Sequence, residues 1–459
     1  MAANAGLLPG LRSDDYVVPI RWDSFTSVPS DADSLRAREI LSNAVLYGLN
    51  GWWNTRMSYP EQKGEYLDFG RNKEKRFQKQ VREPAGMASA LATCLALGAY
   101  DAKKTGVSEP AARARTLRLI RSVAYCHKAN SSGDKTWGHH HHPFDTNNIC
   151  ILAGVAGWLM WPHLDTEGRQ LLRKMVESEA GYSLATDALY YRDKAGGILS
   201  PGNTRGEEMA WRAALFFLAT SMMPAHGSFS DWINKGIEYA LAAMARPSDV
   251  NSSKVYHGRR LSQWLNGSNV HENGTVVNHK IDPHPHYTVS MIMSNYCAAA
   301  WYTLAGLPTP EAFRFNADKV YQALVQLHFS PKNGYRPPGG TIYIPDSPEI
   351  YFPSGNDKGS NEYIKYGLAD ANVRHFGGDE LVSESRRGGY WEKLHVQKAL
   401  EMQMRGRDGS SNRTEEEGGV DREWWIAYHA GRLYLAKWVA AQDRFATTDQ
   451  VFTSSPRQP

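Results

Sequence analysis

The segment from Asn273 to Tyr287, Asn-Gly-Thr-Val-Val-Asn-His-Lys-Ile-Asp-Pro-His-Pro-His-Tyr, concentrates side chains that can transfer protons. Pro283 and Pro285 exclude a continuous helix here, because proline lacks the backbone N–H and restricts the residue before it. We therefore expect a constrained loop leading into a buried helix from Tyr287 to Leu307. Loops of this kind commonly carry catalytic residues.

The chemistry that these residue types suit is β-elimination from a uronic acid. Removing the proton alpha to the uronate carboxylate and expelling the 4-linked sugar requires a carboxylate-neutralising group, a general base and a general acid. A tyrosine phenol, with a reference pKa of about 10, acts as a base only where nearby cations or hydrogen-bond donors favour its anion. The required types occur in this loop and at the start of another predicted helix: Asn278, His279, His284, His286, Tyr287, Asn203 and Arg205.

The loop resembles a known signature. The run Asn273-Gly-Thr-Val-Val-Asn-His279, followed by Tyr287, is similar to the Asp-Gly-Ser-Phe-Ile-x-His then Tyr motif of the hyaluronate, chondroitin and xanthan lyases. Gly202-Asn203 resembles the Gly-Asn at the start of an inner helix of that family. The resemblance implies that Asn203 and His279 bind the acidic group and that Tyr287 moves the protons.

A second, shorter resemblance concerns an arginine. Met404-Arg405-Gly406-Arg407 is similar to a Met-x-x-Gly-Arg element that supplies the family's arginine, which makes Arg405 a substrate-binding candidate. The chain also departs from the family: Thr204-Arg205 replaces a Trp-Trp pair, the His-to-Tyr gap is one residue shorter, and the family's β-sandwich domains have no counterpart. A lyase built from the helical domain alone, acting on alginate or glucuronan, is therefore an equal alternative.

Aromatic residues beside polar or glycine-rich sequence are candidates for stacking on sugar rings. Trp52-Trp53 and Trp137 have such surroundings, although aromatic side chains that pack helices together would give the same pattern. We expect Trp52, Trp53 and Trp137 to contact substrate.

The run His139-His140-His141-His142 follows directly after Gly138. Four adjacent histidines cannot all reach one metal ion from a helix or a strand, so we expect His139 and His140 to contact substrate from a cleft loop. With Asp282, His284 and His286 the run also permits a zinc or manganese hypothesis. No obligatory cofactor is expected.

The recurring pattern is helical. Apolar residues at spacings of three and four predict helices over 32–50, 84–104, 109–128, 146–160, 166–180, 205–223, 228–245, 287–306, 310–328 and 424–441. Thr204 and Glu207 form a Thr-x-x-Glu pattern that predicts a capping box. Strand signals are few, and the best is Gly340 to Pro345.

Serial helix pairs joined by Gly/Pro loops predict an all-α fold, an (α/α) toroid or incomplete barrel of about six or seven helical hairpins with few short strands. No segment has the composition of a domain linker, so we expect one catalytic domain over residues 1–459. The inner helices of such a toroid would present their ends to one central cleft.

Composition narrows the range of partners. The formal net charge is +4 over 459 residues, which is too small to indicate nucleic-acid binding but suits a local groove for a polyanion. No apolar run approaches the roughly 18 to 20 residues needed to span a membrane. Four cysteines in apolar surroundings predict buried thiols.

The expected location is extracellular. Five Asn-x-Ser/Thr sequons, at Asn130, Asn251, Asn266, Asn273 and Asn412, fit a secreted protein. The start, Met1-Ala-Ala-Asn-Ala-Gly, is typical of a mature terminus given a new initiator methionine, so a signal peptide is expected to be missing from this sequence. A monomer is expected.

Three functions are compatible with these patterns. The first is a lyase that cleaves an acidic polysaccharide by β-elimination. The second is a toroid glycoside hydrolase with paired carboxylates, and the third is a noncatalytic glycan-binding protein with only an aromatic groove. The carboxylates available to the hydrolase are Glu207, Glu208, Asp282, Glu362 and Asp370.

Overall fold

The computed structural model describes residues 16–57, 61–63, 66–69, 77–133, 136–140, 143–355, 359, 361–413, 415–416 and 419–452. His141, His142 and the predicted mature start at Met1 lie outside the described residues. All structural statements below concern the described part of the chain.

The described α-helices follow one another along almost the whole chain. In chain order they are α1 (Ala32–Tyr47), α2 (Trp53–Arg56), α3 (Phe77–Ala96), α4 (Ala102–Thr105), α5 (Glu109–Tyr125), α6 (Pro143–Leu159), α7 (Thr166–Leu184), α8 (Gly206–Met222), α9 (Phe229–Ala243), α10 (Leu261–Trp264), α11 (Pro285–Asn295), α12 (Cys297–Ala305), α13 (Ala317–Gln326), α14 (Tyr363–Phe376), α15 (Gly388–Gln403) and α16 (Glu423–Ala440).

The described strands are two or three residues long and form separate two-stranded pairs. They are β1 (Glu61–Lys63), β2 (Tyr66–Asp68), β3 (Arg192–Asp193), β4 (Val255–Tyr256), β5 (Arg259–Arg260), β6 (Gly267–Ser268), β7 (Thr309–Pro310), β8 (His328–Phe329), β9 (Gly340–Thr341) and β10 (Thr447–Thr448). The pairs β1–β2, β3–β6, β4–β5 and β8–β9 are antiparallel, and β7–β10 is parallel. The all-α prediction is confirmed.

Helix packing follows a cyclic order. Among the described helices, α3 packs against α6, α6 against α8, α8 against α11, α11 against α14, α14 against α16, and α16 against α3. The helices α1, α5, α7, α9, α13 and α15, which we call the outer helices, alternate with these along the chain, and each packs against at least one member of the cycle. A ring of six helical hairpins would have this contact order. The (α/α) toroid itself stays a prediction.

Burial explains which helices belong to the cycle. Every residue of α6 from Thr146 to Leu159 is buried, and in α8 so is every residue from Met209 to Met222. A helix that is apolar all round must be covered on all sides. The outer helices are polar on one face, and two of them, α1 and α7, begin at aspartates. In α1 the Asp31 carboxylate accepts from the backbone N–H groups of Asp33 and Ser34.

The helix predicted from Tyr287 to Gly306 is two helices, α11 and α12, which meet at Tyr296. A continuous helix would bond the Cys297 N–H to the Met293 carbonyl. The Arg432 guanidinium donates to that carbonyl instead. A side chain from α16 therefore accompanies the break in the helix.

The helix predicted from Pro310 begins later than expected, at Ala317. Asn316 has a φ of 55°, in the left-handed region, which interrupts the helical path after a short 3-10 turn from Glu311 to Arg314. Two long helices, α14 and α15, were not predicted, nor were the short helices α2 and α10.

Two compositional predictions can be compared with the described residues. All four cysteines are buried free thiols, as expected. No described helix combines the length and the apolar character that crossing a membrane requires.

Candidate functional site

The loop that precedes α11 is fixed by backbone bonds to a second loop. The Thr204 N–H donates to the Val277 carbonyl at 2.8 Å, and the Lys280 N–H donates to the Gly202 carbonyl at 2.8 Å. Gly202 has a φ of 73°, and a Cβ atom there would lie 2.9 Å from the Lys280 side chain. The Gly-Asn motif and the histidine loop, which are far apart in sequence, are therefore adjacent in the structure.

His279 and Tyr287 form a direct hydrogen bond at this position. The His279 Nε2 atom lies 2.7 Å from the Tyr287 hydroxyl oxygen. His279 is exposed and Tyr287 is half-buried, in the first turn of α11. The buried His284 ring packs edge-on against the Tyr287 ring at 4.7 Å and fixes its orientation. The pair combines a proton donor and a proton acceptor within reach of solvent.

A buried ionic cluster lies behind Tyr287. The Glu362 carboxylate bonds to the His286 Nε2 atom at 2.8 Å and accepts from the Arg422 guanidinium at 2.6 Å. The Lys365 Nζ atom lies 2.9 Å from the same His286 nitrogen. Glu362, His286 and Lys365 are 3%, 5% and 1% exposed, so these charges interact largely out of water.

Burial and charge shift the protonation of this cluster in opposite directions. Burial alone would raise the pKa of Glu362, but His286, Arg422 and Lys365 together lower it well below its ordinary value. Burial lowers the pKa of Lys365 to about 8, although Glu207 and Glu362 oppose the change. Glu362 is therefore a carboxylate at neutral pH, and Lys365 loses its proton more readily than an ordinary lysine.

Tyr287 has a different environment from the one expected of a tyrosine base. Burial raises the pKa of Tyr287, and the negative charges of Glu207 and Glu362 raise it further, while Arg422 and Arg82 oppose them. The phenol therefore keeps its proton at neutral pH.

Arg82 brings a further cation to this group from α3. Its Nε atom donates to the Asn148 Oδ1 atom on α6 at 2.9 Å, and its guanidinium carbon lies 4.9 Å from the centre of the Trp425 ring on α16. Glu207 and Arg422 lie within electrostatic range of Arg82. Residues from α3, α6, α8, α11, α14 and α16, which are the six helices of the cycle, thus converge on one region.

The structure brings some of the other predicted residues to this site. Asn203 lies between Gly202 and Thr204, whose backbones bond to the His279 loop, and Asn278 is buried beside it in a bridge with Ile281. We assign Asn203 to the site on the position of its backbone.

The two predicted arginines are held by carboxylates elsewhere. Arg205 pairs with Glu208, one helical turn along α8, at 2.7 Å. Arg405 pairs with Glu416 through both terminal nitrogens. The predicted capping box is also wrong, because the Thr204 hydroxyl donates to the Asn269 carbonyl and accepts from Gly206. The Glu207 carboxylate therefore does not cap the helix in this way, and its charge contributes to the raised pKa of Tyr287.

The predicted sugar-stacking tryptophans require correction. Trp52 and Trp137 are 1% and 2% exposed, and their indole N–H groups donate to Glu83 and to the Val123 carbonyl. A ring buried to this degree cannot offer a face to a ligand, so both belong to the core. Trp53 is half-buried and lies under the Arg115 guanidinium at 4.9 Å, which covers part of the ring.

His139 belongs to a separate group. The Glu179 carboxylate accepts from the His139 backbone N–H at 2.6 Å and lies 3.0 Å from the His127 Nε2 atom. The Tyr182 hydroxyl donates to the His140 carbonyl. His139 therefore does not join His284 and His286 around one centre, as the metal hypothesis required.

His127, His139 and Glu179 are nevertheless close enough to hold a metal ion, with ligand atoms within 4.8 Å of one another. Burial lowers the pKa of His127, so its imidazole is neutral. Its Nδ1 atom accepts from the Ala129 N–H at 3.1 Å, and the proton therefore lies on Nε2 and is donated to Glu179. The arrangement fits a hydrogen-bonded network better than a ligand set, because the Nε2 lone pair is not available to a cation.

Apart from His286, the sequence did not single out the residues of the ionic cluster. Glu362 appeared only among the carboxylates for a hydrolase, Glu207 appeared there and in the predicted capping box, and Arg82 lies two residues before Pro84, where the predicted helix was begun. In the structure α3 begins at Phe77 and contains Pro84. A charged residue within an otherwise apolar helix, such as Lys365 in α14, is the sequence signal that could have identified the residues of this cluster.

Comparison with known proteins gives no relative: no family model, no curated protein and no solved structure matches the chain.

Proposed function

We propose that this protein is a polysaccharide lyase that cleaves an acidic, uronate-containing polysaccharide by β-elimination. The observation that carries the proposal is the 2.7 Å bond between His279 and Tyr287, in which His279 is exposed. It provides a proton acceptor and a proton donor side by side, which is the pair of groups that elimination requires.

The protonation of Tyr287 favours one division of roles. Because buried surroundings and nearby carboxylates raise the pKa of Tyr287, the phenol suits the general acid that gives its proton to the leaving glycosidic oxygen. The His279 imidazole then takes the proton alpha to the carboxylate. A proton transfer from His279 to Tyr287 across their hydrogen bond restores both groups after each turnover.

This assignment modifies the role expected from the sequence, in which Tyr287 was both base and acid. Asn203 keeps its expected role, because its backbone lies next to the His279 loop and an amide donor can neutralise the charge that develops on the carboxylate as the proton leaves. We do not assign substrate binding to Arg205 or Arg405, because their guanidinium groups form ion pairs with Glu208 and Glu416.

The hydrolase alternative finds less support, since four of its five candidate carboxylates, all except Glu207, have other partners. Glu208 pairs with Arg205, Asp282 with His271, and Glu362 with His286 and Arg422. Asp370 is completely buried and accepts from the Tyr321 and Tyr343 hydroxyls. A noncatalytic binding protein would use an aromatic groove, and Trp52 and Trp137 are in the core.

The test follows the chemistry of the product. Alginate, polyglucuronate, hyaluronate and chondroitin are each incubated with the protein, and the ultraviolet absorbance of the conjugated double bond, which only elimination creates, is followed. A rise on at least one polymer is expected. Release of new reducing ends without that absorbance would replace the lyase by a hydrolase.

A further inference from the structure

Three cationic side chains belong to the described residues that converge behind Tyr287, and two of them lie against members of the Glu362 cluster. Arg422 donates to Glu362 at 2.6 Å, and Lys365 lies 2.9 Å from His286. Arg82 differs from both: its Nε atom bonds to Asn148, but no described residue accepts a hydrogen bond from its two terminal nitrogens. Arg82 is half-buried, and neither terminal nitrogen is among the fully buried polar atoms that lack a partner in the described part of the chain.

The position of Arg82 is fixed from two sides. Asn148, which is 1% exposed, holds its Nε atom, and the Trp425 ring, which is 5% exposed, supports its flat face at 4.9 Å. An arginine held at Nε and on one face can direct its two terminal nitrogens only along one edge. That edge is a fork that matches the two oxygens of a carboxylate.

We propose that Arg82 binds the carboxylate of the substrate and makes the site selective for uronate over neutral sugar. The inference rests on the proposed function and extends it, because it names the residue that recognises the acidic group. The required arginine then comes from α3 and not from the Arg405 segment that the motif indicated.

The surrounding charges are consistent with this role. Asp145 and Glu207 lie within electrostatic range of Arg82, as does the repelling charge of Arg422. Arg82 and Tyr287 also interact electrostatically, so a carboxylate bound by Arg82 would lie near the His279 and Tyr287 pair. Burial lowers the pKa of Arg82, and a bidentate carboxylate partner would favour its charged form again.

The experiment measures selectivity for charge without turnover. Tetrasaccharides from alginate, polyglucuronate, hyaluronate and chondroitin are prepared in native and carboxyl-reduced form, and their binding to the full chain carrying Tyr287→Phe is measured by calorimetry. The parent protein should prefer the native form of its substrate. Adding Arg82→Gln should reduce that preference by about tenfold or more, because a charge-assisted bidentate contact is lost.

The matched control is Arg115→Gln. Arg115 also lies over a tryptophan, Trp53, at 4.9 Å, and is also half-buried, but it donates to the Leu49 carbonyl. Its replacement should leave the preference unchanged. Arg82→Lys, which keeps the charge but not the fork, should give an intermediate preference, and thermal unfolding shows that each variant is folded.

The outcomes separate this inference from the proposed function. If Arg82→Gln and Arg82→Lys both keep the full preference for the native form, Arg82 is not the carboxylate-binding residue, while a double-bond signal from wild-type protein would still support the lyase. If the parent has no preference for any native tetrasaccharide, selectivity for uronate is overturned.

Discussion

At the scale of single residues, the hydroxyl of Tyr287 has the most specific role in the proposed reaction. It bonds to His279 at 2.7 Å, while its ring packs against His284. Replacing Tyr287 by Phe keeps the ring and removes only the exchangeable proton. We expect kcat to fall by about 10²- to 10⁴-fold, the range that general acid–base groups contribute.

This prediction is checked by steady-state rates of double-bond formation together with calorimetric binding. The dissociation constant should stay close to that of wild type. Tyr256→Phe is the control, because Tyr256 packs against Phe315 away from the pair and its replacement should leave kcat unchanged. Wild-type activity in Tyr287→Phe would assign the proton transfer to another residue.

A second residue-scale prediction concerns pH. A general acid must be protonated, so activity is lost as pH rises through its pKa, and the raised pKa of Tyr287 moves this loss above the ordinary tyrosine value of about 10. Glu207→Gln removes one charge that raises the pKa. The alkaline loss of kcat/KM should therefore begin at a lower pH than in wild type.

Glu208→Gln is the control for Glu207→Gln, since Glu208 is the next residue of α8 and pairs with Arg205. Profiles of kcat/KM from pH 7 to well above the ordinary tyrosine value of about 10 distinguish the variants, provided that thermal unfolding shows each protein to be folded at the alkaline end. Identical alkaline limbs in wild type and Glu207→Gln would remove Tyr287 from the role of acid.

At the scale of elements, the Glu362 cluster joins α14 to α11 and to the start of α16. The Glu362 side chain is 3% exposed, and its negative charge compensates the positive charge of neighbours that include Arg422. Glu362→Gln leaves buried positive charge without compensation, and we expect a loss of about 3 kcal/mol in the free energy of unfolding. Urea denaturation at pH 7 measures it. Glu109→Gln in an exposed pair with Arg113 should cost less than about 1 kcal/mol.

The same variant has a predictable dependence on pH. The pKa of Glu362 is lower in the folded than in the unfolded protein, so its contribution is fully present above the unfolded value of about 4.3 and is lost as pH falls through the folded value. The stability difference between wild type and Glu362→Gln should be constant from about pH 7 to 5 and shrink in more acidic solution. A difference that grows below that range would contradict the ionised state of Glu362.

The elements also explain how far the sequence could lead. Periodicity located most long helices and the all-α class, and the loop from Asn273 to Tyr287 was correctly read as non-helical before α11. The break at Tyr296 was not predictable, because Arg432 lies on a helix distant in sequence. Neither were α14 and α15, whose buried charged residues, including Lys365 and Glu392, weaken the apolar periodicity on which the prediction depends.

The candidate site was predicted where its members are local in sequence or belong to the Gly-Asn motif that carries Asn203. His279 and Tyr287 are eight residues apart and were paired correctly. Arg82 and Glu207 reach the same region through the packing of α3 and α8, which periodicity does not specify. The exposure of single tryptophans was predicted wrongly. A buried indole that donates its N–H, as in Trp137, has the same sequence context as an exposed indole.

At the scale of the whole molecule, the contact between α3 and α16 closes the cyclic order of helices. Gly86 permits this contact, because a Cβ atom there would lie 2.5 Å from the Trp424 ring. Gly86→Ala should therefore destabilise the protein by about 1 to 3 kcal/mol through overpacking. If residues 1–459 form one domain, helicity and tryptophan fluorescence should lose their signals together, at a lower temperature than in wild type.

Gly181→Ala is the matched control, since Gly181 lies in α7 with no atom within 4 Å of the added Cβ. It should raise stability by about 0.5 to 1 kcal/mol, because alanine favours the helix. Two separate transitions, of which Gly86→Ala moves only one, would divide the chain into more than one domain.

The distribution of the site along the chain has a consequence for synthesis in the cell. Arg82 leaves the ribosome early, whereas Trp425, which supports its guanidinium, is among the last helical residues to be made. An incomplete chain therefore holds a helix with an exposed cation and no stacking partner. Activity would then appear only after translation of α16, and a prematurely terminated chain would expose the face of α3 that chaperones and proteases can recognise.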